Sequence, residues 1–173
     1  MAMTDPGETT ARTLVLLRHA KAERPTGHSD VDRPLTERGH ADAGAAGAWL
    51  AAHGYVPDLV LCSPAKRTRQ TWHGVALALP SAPAVRYEKK LYTGGARDML
   101  AVVAAASTEV RTVLVIGHNP SVSELSVLLD PDGHAADSDG LRTCGLAVHD
   151  VPGSWAHCAS GGARLSTAHT ARA

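Results

Sequence analysis

Three short apolar runs that end in polar residues constrain this chain more than any other feature. The first, residues 14–17, leads directly into Arg18 and His19. An apolar run of this length is typical of a strand buried on both faces, and open α/β sheets bind ligands at the carboxyl ends of their strands. An arginine beside an imidazole at that point predicts a phosphoryl-transfer site, because one holds phosphate charge and the other can accept the phosphoryl group. Taken alone, the pattern fits equally well an ordinary buried strand that is followed by polar residues.

The second and third runs, residues 58–62 and 113–116, predict two more buried strands. Arg67 follows the second run, after Ser63-Pro64, and the third leads into Gly117-His118-Asn119-Pro120. If the three strands are parallel neighbours, the polar residues that directly follow them, here called the three strand exits, lie at one edge of the sheet. Taken singly, Arg67 is also explained as a solvent-exposed helix residue and His118 as a loop or capping histidine. The predicted site therefore depends on the convergence of the three exits.

Helical patterns alternate with these strands. Thr36 is predicted to cap a helix that continues through residue 52 and stops at Gly54. Gly44 and Gly47 weaken this helix but allow it to pack closely on a sheet.

A second helix is predicted after Ser63, which serves as its cap, with Pro64 as its first residue. Two more helices are expected over residues 98–106 and 121–129. Extended segments are expected over residues 84–87, 145–150 and 163–167, and the tail after Thr170 is expected to fray. This alternation predicts a single three-layer α/β/α domain, with a mainly parallel central sheet and helices on both faces.

The length of 173 residues fits one domain, which we place at residues 13–170 behind a disordered lead-in of residues 1–12. Aromatic residues make up only 3% of the chain, so an aliphatic core is expected.

The net charge of zero argues against nucleic-acid binding, which needs a basic surface. No apolar stretch predicts a membrane span or a secretory signal, so the expected location is the cytoplasm. Three cysteines without CxxC spacing argue against a disulfide framework or a zinc site.

Together, these motifs resemble the histidine phosphatase superfamily, which also contains phosphoglycerate mutase, and in particular its small phosphohistidine phosphatase branch. The resemblance spans about residues 13–150 and implies a phosphoglycerate mutase-like fold. Four motifs in the family's order carry it: Leu17-Arg18-His19-Ala20-Lys21; Asp32-Arg33-Pro34-Leu35-Thr36 with Gly39; Ser63-Pro64 with Arg67, Gln70 and Thr71; and Gly117-His118-Asn119-Pro120.

The resemblance implies a role for each polar residue at the strand exits. His19 is the implied nucleophile, and its second ring nitrogen is then expected to be held by a backbone carbonyl so that the neutral imidazole presents a lone pair. Arg18, Arg67 and His118 are the implied catalytic partners that bind the phosphoryl oxygens, with Asn119 as a further substrate-binding residue. No metal or cofactor is implied, because the arginines and His118 supply the charge.

Two departures from the family pattern bear on substrate. Ala20 stands where the superfamily usually has glycine, which we interpret as a mark of the branch. The superfamily usually has a carboxylic proton donor after the middle strand, and the nearest candidate here is Glu88, which is also explained as a surface residue. A nitrogen leaving group such as imidazole needs less help from a general acid than an alkoxide does. The short loops around the site also predict an open site, suited to a bulky substrate.

These arguments predict a metal-independent phosphatase that works through a phosphohistidine intermediate on His19 and acts on phosphohistidine in proteins. The alternatives are a small-molecule phosphomonoesterase with the same site and a phosphate-binding module with weak catalysis. A mutase is disfavoured by the short chain, and a metal-dependent hydrolase by scattered histidines that lack metal-ligand spacing. The expected partner is a phosphorylated protein or small phosphorylated substrate, not nucleic acid or membrane, and the protein is expected to be a monomer.

Overall fold

The computed structural model describes residues 11–173, and its centre is a sheet of six strands. The strands are β1 (Arg12–Arg18), β2 (Leu59–Cys62), β3 (Ala84–Tyr87), β4 (Thr112–Gly117), β5 (Gly145–Val151) and β6 (Arg164–Thr170). Their order across the sheet is β3-β2-β4-β1-β5-β6. The first four are mutually parallel, β5 runs antiparallel to β1, and β6 runs antiparallel to β5.

Helices cover both faces of this sheet. They are α1 (Glu37–Ala52), α2 (Lys66–Leu77), α3 (Lys90–Thr93), α4 (Ala96–Ala104) and α5 (Ser121–Leu129), with single 3₁₀ turns at Asp30–Asp32 and Trp155–His157. The result is the expected single α/β domain with a mostly parallel central sheet. Within residues 11–173, none of the helices is both long and apolar enough to cross a membrane.

Alternating residues of the central strands fill two separate cores. On β1, Leu14 and Leu16 pack in the core beneath α4 and α5, whereas Val15 and Leu17 pack in the core beneath α1 and α2. All four are completely buried. This period of two is what a strand covered on both faces requires, and it explains why the sequence of β1 is apolar at every position between Thr13 and Arg18.

The register of the parallel strands places the carboxyl ends of β1, β2 and β4 side by side at one edge of the sheet. Arg18, the last residue of β1, pairs with Gly117 of β4, and Cys62, the last residue of β2, pairs with Ile116. The residues that follow these three strands therefore emerge side by side. This confirms the expected convergence of the three polar exits at one edge of the sheet.

Several element boundaries differ from the sequence predictions. Helix α2 begins at Lys66 with Ala65 as its cap residue, so the prediction of Ser63 as cap was wrong. The Ser63 hydroxyl instead accepts a hydrogen bond from the Ala65 amide and lies 2.7 Å from His118 Nε2. Helix α4 begins two residues earlier than predicted, because the Asp98 carboxylate accepts a hydrogen bond from the Gly95 amide and caps the preceding turn.

The two chain ends also differ from expectation. Most of the predicted lead-in lies outside the described residues, but Arg12 is already part of β1 and is buried. The tail after Thr170 is held rather than frayed. The Ala171 amide donates to the Cys144 carbonyl at 3.1 Å, and the Ala173 amide donates to Asp42 Oδ1 at 3.0 Å. These bonds place Arg172 beside the edge of the sheet at which β1 ends.

Gly47 sets the distance between α1 and α2. A Cβ on Gly47 would lie 2.3 Å from the Val75 carbonyl oxygen of α2, whereas a Cβ on Gly44 would meet nothing within 4 Å. The predicted close packing therefore occurs at Gly47 and against a helix, not against the sheet. Gly44 has no such packing role.

This difference predicts opposite effects for the same substitution on one helix. Gly47→Ala should destabilise the protein by about 1–3 kcal/mol through overpacking, which exceeds the helix-propensity gain. Gly44→Ala should stabilise it by about 0.5–1 kcal/mol, because alanine favours the helix and meets no obstacle. Urea unfolding of both variants measures the two signs. Equal shifts of both midpoints in the same direction would contradict this packing account.

Candidate active site

His19 lies immediately after β1 and is only 8% exposed. Its Nδ1 is 2.7 Å from the Ala20 carbonyl oxygen. Because a carbonyl can only accept, Nδ1 carries the ring proton and donates it to this oxygen, and Nε2 keeps its lone pair. The backbone-carbonyl bond expected from the sequence is thus present, and it makes Nε2 the nucleophilic atom.

Burial and positive neighbours keep both histidines of the site neutral. Burial, followed by His118, Arg67 and Arg18, lowers the pKa of His19 to about 3, although the Ala20 hydrogen bond acts in the opposite direction. Burial and then the Arg67 charge lower the pKa of His118 to about 4, against the opposing effect of Asp30. A neutral imidazole at pH 7 is the form that can attack phosphorus.

Helix α2 holds the segment that carries the nucleophile. The buried Thr71 hydroxyl accepts a hydrogen bond from the Ala20 amide at 3.0 Å and donates to the Arg67 carbonyl at 2.8 Å. Gln70 Oε1 accepts from the Leu35 amide at 2.8 Å and so ties the loop of residues 20–35 to the same helix. Gln70 and Thr71 therefore position the nucleophile and its loop, a role that the sequence pattern does not reveal.

The two arginines are anchored through their terminal nitrogens. Arg18 Nη1 donates to the Leu141 carbonyl at 3.0 Å, and the Asn119 side-chain amide donates to the same carbonyl at 2.8 Å. Arg67, 6% exposed, donates from Nη1 to the Asp30 carbonyl at 2.7 Å and from Nη2 to Asp30 Oδ2 at 3.1 Å. The two bonds to Asp30 fix the plane of the Arg67 guanidinium, the bond to Leu141 restrains that of Arg18, and Nε of each has no partner among residues 11–173.

Three buried nitrogens of this cluster have no hydrogen-bond partner among residues 11–173: Arg18 Nε, Arg67 Nε and His118 Nδ1. A buried polar atom without a partner costs about 1–3 kcal/mol, so such atoms call for an explanation. His118 lies beside His19, with ring centroids 5.3 Å apart. Donors gathered around a neutral imidazole suit a ligand with several acceptor oxygens.

Asp30 is a residue of the site that the sequence analysis missed. Its Oδ2 accepts from the Tyr92 hydroxyl at 2.8 Å as well as from Arg67, and its Oδ1 accepts from Arg33 at 3.1 Å. The Tyr92 hydroxyl, then Arg33 and Arg67, hold the pKa of this carboxyl well below its usual range, so it stays ionised. The motif at residues 32–36 contains Asp32, whereas the aspartate that the fold brings to Arg67 is Asp30, outside that motif.

The other predicted site residues have contacts of a different kind. Glu88 follows β3 and lines a groove of about 230 Å³ with Arg86 and Lys90, and no hydrogen bond or ion pair within the described part of the chain joins its carboxylate to His19. Its role as proton donor stays a prediction. The Asn119 amide is engaged with Leu141 and with the Ser123 hydroxyl, so its role in substrate binding also stays a prediction.

One group of side chains that could hold a metal ion lies away from His19. Asp130, Asp132 and His134 bring their ligand atoms within 4.8 Å of one another. They follow the carboxyl end of α5, whereas His118 precedes its amino end. A helix of this length separates the two by about 13 Å, so this trio does not contribute to the chemistry at His19.

Known proteins share both the sequence pattern and the fold. The profile of the histidine phosphatase superfamily (branch 1) matches residues 14–92. An uncharacterized protein of Mycobacterium tuberculosis is 38% identical over 162 residues, which are 90% of this chain and 100% of that protein. A structure from Nakamurella multipartitia, provisionally assigned as the phosphohistidine phosphatase SixA, is 37% identical with a TM-score of 0.83, covering 94% of this chain and 98% of that one.

The chain belongs to the histidine phosphatase superfamily. A histidine phosphatase SixA solved with tungstate is 26% identical, with a TM-score of 0.78 over 91% of this chain and 96% of that one. Membership confirms the resemblance inferred from the four motifs, and the protein is a phosphatase.

The protonation state of His19 can be observed directly in this histidine phosphatase. We expect two-bond ¹⁵N–¹H correlation spectra to show His19 as the neutral Nδ1–H form from pH 8 down to about pH 5, because burial and nearby cations lower its pKa far below the value of about 6.5 for a free histidine. The urea-unfolded protein provides the reference titration. A His19 midpoint near that of the unfolded chain, or an Nε2–H form at pH 7, would contradict the assignment of Nε2 as nucleophile.

Proposed function

We propose that this phosphatase hydrolyses phosphohistidine in proteins through a covalent phosphohistidine on His19, without a metal ion. The observation that carries the proposal is a neutral His19 close to Arg18, Arg67 and His118, whose Nε, Nε and Nδ1 atoms are buried and without partners in residues 11–173. A phosphoryl group bound there would accept hydrogen bonds from all three. The same arrangement leaves His19 Nε2 free to attack phosphorus.

The reaction would proceed in two displacements at phosphorus. In the first, the lone pair of His19 Nε2 forms a P–N bond while the P–N bond of the substrate breaks. The substrate imidazole leaves in its neutral form, because its other ring nitrogen already carries a proton taken from solvent. In the second, water attacks the phosphorus on His19, the P–N bond breaks with its electron pair returning to Nε2, inorganic phosphate leaves, and the proton lost by the water passes to solvent. The Ala20 carbonyl holds the Nδ1 proton and stabilises the ring while it carries positive charge.

Metal independence rests on the fixed charges of the two arginines. In phosphoryl transfer the charge spreads over the equatorial oxygens, and positioned donors stabilise it. Arg18 and Arg67 supply two cations whose orientation is set by the Leu141 carbonyl and by Asp30. We therefore expect activity to survive chelators.

A phosphohistidine substrate fits the acid–base groups around His19. Asp30 is ionised, so it has no proton to give at neutral pH, and Glu88 makes no hydrogen bond or ion pair with His19 among the described residues. A site without a protonated carboxyl favours a leaving group that departs with little acid assistance, as imidazole does. Two similar solved proteins that bear the SixA name are described as phosphohistidine or protein histidine phosphatases, which supports the same substrate class.

The role of Arg67 can be separated from that of its helix. Arg67→Ala should lower kcat/KM for phenyl phosphate by about 10²–10³-fold, as loss of a comparable transition-state donor does. Arg69→Ala, on the same helix but exposed and bonded only to the Pro64 carbonyl among residues 11–173, should change kcat/KM by less than about twofold. Steady-state rates with EDTA present measure both. Similar losses in the two variants would place Arg67 outside the site.

The substrate class is tested by comparing phosphohistidine in a protein with phenyl phosphate and a sugar phosphate. We expect the highest kcat/KM on phosphohistidine, with ³²P trapped on wild-type protein after an alkaline denaturing quench, since phosphohistidine survives alkali, and none trapped on His19→Ala. Efficient turnover of the sugar phosphate with no hydrolysis of phosphohistidine would overturn the proposal in favour of a small-molecule phosphomonoesterase. Phosphate binding without trapped label would indicate a binding module.

A further inference from the structure

A strongly basic cavity opens beside His19. It has a volume of about 340 Å³ and contains both Arg18 and His19 in its wall. The rest of its charged lining comprises five cations and one carboxylate, namely Lys21, Arg24, Arg33, Arg38, Arg172 and Asp42. The whole chain has 17 basic and 17 acidic residues, so this excess of positive charge is a local feature.

The few carboxylates near this cavity neutralise only part of its charge. Asp42 is shared by two arginines, since its Oδ2 lies 3.7 Å from Arg38 Nε and 3.7 Å from Arg172 Nη1. Arg33 is paired with Asp30. Within residues 11–173, Lys21 and Arg24 have no ion pair, and the Arg24 charge together with burial lowers the pKa of Arg18.

The cations come from segments that are distant in sequence. Lys21 and Arg24 lie in the loop after β1, Arg38 lies in the first turn of α1, and Arg172 lies in the tail after β6. The hydrogen bonds of Ala171 and Ala173 hold that tail against Cys144 and Asp42, which keeps Arg172 at the cavity. The five cations therefore reach the cavity wall from three separate parts of the chain: the loop after β1, the start of α1 and the tail after β6.

We propose that this basic cavity is a second subsite, which binds acidic side chains that flank the phosphorylated residue of a protein substrate. The inference deepens the proposed function and rests on it. A substrate whose phosphoryl group reaches His19 lies next to these cations, because Arg18 and His19 form part of the same cavity wall. Five cations spread over a cavity wall suit several carboxylates of an extended segment better than one compact second phosphate. Unpaired surface charges of this kind raise the association rate of oppositely charged ligands and lose effect as salt increases.

The test uses two synthetic peptides that carry one chemically phosphorylated histidine, flanked by Asp and Glu in one peptide and by Asn and Gln in the other. At an ionic strength of about 20 mM we expect kcat/KM for the acidic peptide to exceed that for the neutral peptide by about tenfold. At about 500 mM salt, where the Debye length is only a few ångström, this preference should largely disappear. The double variant Lys21→Gln/Arg24→Gln should lose the preference at low salt.

A matched double variant removes the same charge elsewhere. Arg86→Gln/Arg111→Gln alters two exposed arginines on the edge strand β3 and just before β4, and it should retain the wild-type preference. Activity on phenyl phosphate, which has no second anionic group, provides the reference for folding of every variant. If both peptides are hydrolysed equally well by wild type, the subsite is overturned while the proposed function stands. If neither peptide is hydrolysed but a bisphosphorylated small molecule is, both the subsite for acidic side chains and the proposed protein substrate are overturned.

Discussion

The parallel pairing of β1 with β4, and of β4 with β2, is the constraint on which the site depends. Arg18 and Gly117 end their strands opposite each other, and Cys62 ends β2 one residue pair away. His19, His118 and Ser63 follow at once and lie close enough for a 2.7 Å contact between His118 Nε2 and the Ser63 hydroxyl. A slip of one residue in either pairing would turn these side chains to the opposite face of the sheet and separate the donors from the nucleophile.

The electrostatic environment at this edge of the sheet lowers the stability of the folded protein and serves its function. Both histidines have a lowered pKa, so between about pH 6.5 and pH 4 the unfolded chain binds more protons than the folded one. Their contribution to stability is therefore complete above pH 6.5 and is lost as the pH falls through this window. Two arginine Nε atoms and one imidazole nitrogen that are buried without a partner in residues 11–173 add a further cost. Such a cost is expected where a site is organised for a ligand and not for the protein alone.

The sequence predicted what depends on local pattern. Strands β1, β2 and β4 follow from apolar runs, α5 follows from the pattern after Pro120, and the meeting of the strand exits follows from parallel topology. Contacts that span the chain were not predictable. The sequence around Ser63 is typical of a helix cap, but the fold brings His118 to its hydroxyl. Asp30 lies outside the motif at residues 32–36, yet it is the aspartate that bonds to Arg67. Arg172 joins the basic cavity because the backbone of its tail bonds to Cys144 and Asp42, which lie far earlier in the chain.

The central claim is that Arg18 Nε, Arg67 Nε and His118 Nδ1 serve a phosphoryl group held in front of His19 Nε2. A crystal structure with tungstate, a tetrahedral oxyanion of phosphate-like shape, tests it most directly. The account predicts an oxyanion facing His19 Nε2, with its oxygens about 2.7–3.1 Å from those three nitrogens. Tungstate bound only among Lys21, Arg24 and Arg172, with the three nitrogens still without partners, would contradict it.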